Sequence, residues 1–98
     1  MTRFKTIKDI VLAYEKAGYT VTHEKTKKSY TLEKSIKMDD HEDRVIVALK
    51  NFRGKTRVII DYPPMSEDYP ERKTVCIGYK RTSEGLILSF CDQFTVSP

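Results

Sequence analysis

Two hydrophobic periods divide the chain. Near the N-terminus Ile7, Ile10, Val11 and Tyr14 recur at i, i+3, i+4 and i+7, while Lys8, Asp9, Glu15 and Lys16 cover the other face, the spacing of one amphipathic helix. Thr6 is placed to accept from the amide of Asp9, and the Asp9 carboxylate can reach back to Thr6, a capping box that also sets an acid at the positive helix end. Gly18 falls where a left-handed residue closes a helix, with Tyr19 returning onto Tyr14, so the helix is predicted to end near Ala17.

From Tyr19 the period becomes two. The pairs and triplets Tyr19/Val21, Tyr30/Leu32, Val45/Val47/Leu49, Val58/Ile60/Tyr62, Val75/Ile77/Tyr79 and Leu86/Leu88/Phe90 predict six strands. Lys25 to Lys28, the acidic Asp39 to Asp43 stretch, Arg53-Gly54, the Pro63 to Glu71 segment and Arg81 to Gly85 separate them. No second helical pattern lies between strands, so parallel crossovers have nothing to cross with and the sheet should be an antiparallel meander. The expected fold is a single α+β domain, an N-terminal helix packed on a five- to six-stranded antiparallel sheet.

Two strands carry further detail. Val45-Ile46-Val47-Ala48-Leu49 has almost no polar alternation, which predicts a central strand covered on both faces. In the second strand Lys34 interrupts the apolar row of Tyr30, Leu32, Ile36 and Met38, as an edge residue would. Exposed edges make a homodimer an option, and Lys34 and Lys37 are the residues that would guard against it.

Composition narrows the function. The chain has 98 residues, 18 Lys+Arg against 14 Asp+Glu and a net charge of +4. A chain this short buries roughly 60–65% of its unfolded surface, enough for one core and too little for a large multi-substrate enzyme. Apolar runs such as Val45 to Leu49 fall far short of the roughly 18–20 residues that cross a bilayer, and the first residues lead into no apolar signal segment, so no membrane contact and a cytoplasmic location are expected. Cys76 and Cys91 are too few for a disulfide framework and form no C-x-x-C pair. Pairing Lys80 with Gly85 across the last turn would set Cys76 opposite Ser89 and diagonal to Cys91, as core thiols or a cross-strand pair; buried thiols are the expectation.

Candidate chemistry is thin. Asp39-Asp40-His41-Glu42-Asp43 has carboxylates for a divalent cation but lacks the turn glycine and ordered ligand series of a calcium loop, and reads as a solvated connection. Asp61 with Glu71-Arg72-Lys73 resembles the Asp and E-x-K of magnesium-dependent nucleases, a short element frequent by chance in so charged a chain. His23 and His41 are not placed near a Ser or Cys nucleophile. No catalytic residue, metal or cofactor is therefore assigned, and a non-enzymatic binding protein is expected.

The basic residues gather near hairpin ends. Lys50-Asn51-Phe52-Arg53-Gly54-Lys55, with Arg57 beyond, offers cations for phosphates and an aromatic ring for a base, the combination that binds single-stranded nucleic acid. Lys80-Arg81 is a second such cluster. The segment Tyr62-Pro63-Pro64-Met65-Ser66-Glu67-Asp68-Tyr69-Pro70 mixes Met, Tyr and Pro in the manner of protein contact loops.

A capped helix from Ile7 to Ala17, followed by Gly18-Tyr19-Thr20-Val21 entering a meander of short charged strands, resembles the architecture of small phage-encoded inhibitors of bacterial defence systems, anti-CRISPR proteins among them. The resemblance covers the order of elements and carries over no functional residue. It implies an inhibitor in the cytoplasm of a bacterial host, acting on a protein or ribonucleoprotein partner by occupying its surface. Independently of it, the basic hairpin tip and the Pro63–Pro70 loop offer Phe52, Arg53, Lys55, Met65 and Tyr69 for such a contact. The alternative is direct nucleic-acid binding through Lys50, Phe52, Arg53, Lys55 and Arg57.

Overall fold

A computed structural model describes residues 3–26, 28–52, 55–64, 70–88 and 93–97. Its first long element is the predicted helix, α1 (Ile7–Lys16), and both of its ends close as the residues dictate. The Asp9 amide donates to Thr6 Oγ1 at 3.4 Å and the Thr6 amide donates to Asp9 Oδ2 at 3.1 Å, completing the capping box. At the other end Gly18 adopts φ 97°, its amide donates to the Glu15 carbonyl at 3.0 Å and the Tyr19 amide to the Tyr14 carbonyl at 3.0 Å. This double closure brings the Tyr14 and Tyr19 rings edge to face at 5.0 Å.

All six predicted strands form: β2 (Thr20–Thr26), β3 (Ser29–Lys37), β4 (Glu42–Phe52), β5 (Lys55–Tyr62), β6 (Lys73–Thr82) and β7 (Gly85–Leu88). Each pairs antiparallel with the next, as the meander reading requires. A further two-residue strand, β1 (Arg3–Phe4), pairs antiparallel with β7 and gives the order β1-β7-β6-β5-β4-β3-β2. The sequence pattern missed β1 because two residues cannot display a period. Its consequence is that α1 carries the chain from one edge of the sheet to the other. Seven strands laid flat would be about 29 Å wide at ~4.8 Å apart, while ten helical residues span only about 15 Å. The sheet instead curls into a half-barrel around the helix.

The core lies between the concave face and α1. Ile10, Tyr14, Leu32, Val45, Val47, Leu49, Val58, Ile60, Ile77 and Leu86 are fully buried there, drawn from α1 and from β3 to β7, while β2 adds the partly buried Val21. Phe4 meets Tyr79 edge-on at 5.9 Å, so β1 closes one side. The C-terminal segment closes another, because Phe94 packs at 4.8 Å from Tyr62 and its carbonyl accepts from the Tyr14 hydroxyl at 2.9 Å. Among the described residues no helix is long and apolar enough to cross a membrane.

Four details depart from the sequence reading. β4 is interior to the sheet, but only Val45, Val47 and Leu49 are fully buried; Ile46 and Ala48 lie half-buried on the convex face, so the strand is covered on one side. β3 lies between β2 and β4, and Lys34 is not an edge guard. Its Nζ donates to the Ala17 carbonyl at 2.8 Å and stands 5.6 Å from the centre of the Tyr19 ring, where a cation offsets the negative helix end. The last hairpin turns two residues tighter on the β6 side, pairing Thr82 rather than Lys80 with Gly85 and setting Lys80 against Ile87, with Gly85 at φ 121°. Finally Cys76 is exposed rather than buried, because Ile77 and Tyr79 take the concave parity of β6; Cys91 lies outside the described residues.

The long edge strand is β2, opposite the two-residue β1, and register shifts between Val21 and His23 and between Glu24 and Thr26 disturb the row of hydrogen-bonding groups that a second copy would need.

Since Ile10 is fully buried between helix and sheet, Ile10→Ala should lower unfolding stability by about 2–5 kcal/mol, a fall in Tm of roughly 10 °C or more, read by thermal melts followed by circular dichroism. A change within a degree or two would mean that the helix is not seated as described.

Candidate nucleic-acid interface

The convex face is legible from strand register. Rows of residues run across it, about 4.8 Å between strands and about 6.7 Å from row to row. One row pairs Lys50 of β4 with Arg57 of β5 and Arg57 with Gly78 of β6. The row nearer the β4–β5 connection pairs Phe52 with Lys55, Lys55 with Lys80 of β6 and Lys80 with Ile87 of β7. On the far side of the Lys50 row lie Thr31, Ala48, Ile59 and Cys76.

Lys50, Lys55, Arg57 and Lys80 are all exposed. Two like-charged pairs, Lys50 with Arg57 and Lys55 with Lys80, therefore stand directly opposite each other on neighbouring strands. Facing like charges destabilise a sheet by a few tenths of a kcal/mol to about 1 kcal/mol per pair. Among the described residues no carboxylate lies within ion-pair distance of any of the four. From Lys50 to Lys80 the cluster spans two interstrand spacings and one two-residue step, about 12 Å.

The opposite end of the same face is built differently, with Arg72 and Arg44 each matched to carboxylates. Arg72, just before β6, donates through Nε to Asp61 Oδ1 at 2.8 Å, through Nη1 to Asp43 Oδ1 at 2.8 Å and through Nη2 to the Arg44 carbonyl at 2.9 Å. Arg44 Nη1 lies 3.4 Å from Glu33 Oε2 across the β3–β4 pair. Three of the carboxylates that the sequence offered to metals are engaged otherwise. Asp61 and Asp43 accept from Arg72, Asp40 meets His41 Nδ1 at 2.5 Å, and Glu71 is exposed. The Arg44 amide, donating at 2.8 Å, and then Arg72 hold the Asp43 carboxyl below its ordinary range; a hydrogen bond from His41 does the same for Asp40.

The structure sorts the sequence candidates. Lys50, Lys55 and Arg57 come together, and Lys80, noticed in sequence only as part of a second basic cluster, joins them through the β5–β6 register. Phe52 pairs with Lys55 in register at the end of β4. Arg53, Met65 and Tyr69 lie outside the described residues. The segment that carries Met65 and Tyr69 leaves β5 after Tyr62, at the other end of the strand from Lys55, about 23 Å away at roughly 3.3 Å per residue. The two halves of the expected protein-contact surface therefore start from opposite ends of the sheet.

Two hollows elsewhere offer less. One, about 240 Å³, lies between the C-terminal segment and β3, lined by Tyr19, Lys34, Ile36, Phe94 and Val96. The other is an open depression beside the Arg44–Glu33 pair, edged by Thr20 and Thr22. The first falls below the roughly 300 Å³ at which small-molecule sites begin, and the second is a shallow surface with its charges already matched.

Because the ionised form of Asp43 is the one its partners hold, its contribution is present above the unfolded carboxyl pKa of ~3.9 and is lost as pH falls through the lower folded value. Tm should therefore decline as pH drops below about 4, and Asp43→Asn should start lower at neutral pH and decline less steeply; identical slopes for the two proteins would sink this account. Comparison with protein families, with curated proteins and with solved structures finds no significant match.

Proposed function

We propose that the protein is a non-enzymatic binding protein whose convex sheet face takes the phosphate backbone of single-stranded nucleic acid. The observation that carries this reading is the pair of facing cation pairs, Lys50 with Arg57 and Lys55 with Lys80, which stand exposed with no carboxylate in ion-pair distance among the described residues, while Arg44 and Arg72 at the other end of the face are matched to carboxylates. A fold gains nothing from such a cluster, whereas a polyanion releases its counterions on meeting it. The open convex surface suits a flexible strand laid across three β-strands, and the net charge of +4 favours its approach.

This reading also accommodates the architectural likeness to inhibitors of bacterial defence complexes. RNA-guided complexes expose a displaced single strand, which is a partner of the stated chemistry. On that footing the partner is a nucleic acid or a ribonucleoprotein, and the site of action is the cytoplasm of a bacterial host.

The test is anisotropy of a labelled single-stranded oligonucleotide over a salt series. Four phosphate contacts predict a slope of log K against log salt near −3, from about −0.7 per contact. Lys50→Gln with Arg57→Gln should weaken binding at least tenfold and reduce the slope by roughly 1.4. The double variant should also melt no lower than the parent, because a repulsion has been removed. A flat salt response, or unchanged binding by the double variant, would reject the proposal.

A further inference from the structure

Neither backbone conformation nor crowding requires the glycine at Gly78, in the middle of β6. Its φ is not in the left-handed region, unlike those of Gly18 and Gly85. A Cβ built on it meets no atom within 4 Å, so crowding does not exclude a side chain. It is exposed, in the middle of a ten-residue strand, where glycine weakens a sheet and a β-branched residue would strengthen it. Glycine inside a strand marks a bulge, a bend or close approach by another group; the β5–β6 register runs through Gly78 without a shift, so it marks no bulge, and the open space above it admits an approaching group.

Its neighbours indicate what approaches. Gly78 stands directly opposite Arg57, with Lys80 two residues along the same strand on one side and Cys76 on the other. Ile59, paired with Cys76 and Ala48, extends an apolar strip beside it. The cations thus border a gap on one flank, and a weakly polar floor borders it on the other. A phosphate chain held by Lys50, Arg57, Lys55 and Lys80 would carry its bases to one side. The Gly78 gap is where a planar ring can lie flat on the strand, against the face of the Arg57 guanidinium, which stacks on aromatic rings.

We infer that Gly78 and Arg57 form a base-receiving subsite, making the convex face selective for single-stranded nucleic acid over polyanions with no accessible base. The inference rests on the reading of this face as a phosphate-binding surface and adds what that reading leaves open, namely a role for a base. Duplexes hide their ring faces in the stack, and inorganic polyphosphate has none, so both should meet the cations alone.

The experiment compares a labelled oligothymidylate, a duplex of equal length and inorganic polyphosphate on the unmodified protein, Gly78→Val and Gly78→Ala. The oligothymidylate should bind the unmodified protein at least tenfold more tightly than the duplex. Gly78→Val should remove that preference while leaving polyphosphate binding within twofold and the salt slope unchanged, since no cation is lost. Its Tm should be equal to or above that of the parent; Gly78→Ala, the smaller change, carries the test if valine lowers it. In parallel, alkylation of the Cys76 thiol, resolved from Cys91 by peptide mass mapping, should be slowed by oligothymidylate and not by polyphosphate at saturation.

Oligothymidylate binding that survives both substitutions overturns the subsite, as does equal protection of Cys76 by the two polyanions. Parallel loss of polyphosphate binding also overturns it, because Gly78 would then serve the backbone. If the unmodified protein binds none of the three, the phosphate-binding reading itself fails and takes the subsite with it.

Discussion

The burial of one helical stripe in one curved face is the constraint from which the remaining structure follows. Ile7, Ile10, Val11, Ala13 and Tyr14 form the only long helical surface available among the described residues to cover the concave side of the sheet. Removing large aliphatic and aromatic side chains from water stabilises by roughly 1.5–3 kcal/mol each, so the strands turn their alternate, mostly large apolar residues toward that stripe. This is why Val58, Ile60 and Tyr62 alternate so cleanly with exposed or half-buried neighbours in β5. It is also why the sheet curls. A ten-residue helix cannot cover seven flat strands, and the short β1 and the returning Phe94 close what the helix leaves open.

The polar consequences of that burial are settled at the helix ends. Thr6 and Asp9 satisfy amides at the start, Gly18 lets the chain reverse at the finish, and Lys34 brings a cation to the terminal carbonyls from within an otherwise apolar row. The last of these shows how a residue that looks misplaced in its own strand can be correct for an element packed against it. The C-terminal segment makes a similar contribution through the Tyr14 hydroxyl, giving a fully buried ring a partner for its polar tip.

With its core gathered on one side, the sheet leaves the convex face to solvent, and charge is distributed unevenly there. One end is knitted by Arg72 to Asp61, Asp43 and the Arg44 carbonyl, which ties the entry to β6 onto β4 and β5. The other end has repelling neighbours and an exposed strand glycine, two features that cost the fold and that the proposed binding of an anionic, ring-bearing ligand would account for.

Local physics made much of this visible in the chain itself. The helix, both of its caps and the six strands of the meander arise from spacing among near neighbours, from the short reach of a threonine or aspartate side chain and from glycine's freedom at Gly18. What required the tertiary structure was every relation set by register between strands: that Lys80 stands against Lys55, that Gly78 stands against Arg57, that Cys76 faces water, and that Lys34 meets a helix end. A period of two specifies that alternate residues share a face but not which face is buried, and one step of register exchanges the two. That choice was made by the position of α1, and with it the assignment of core to one side and of exposed charge to the other.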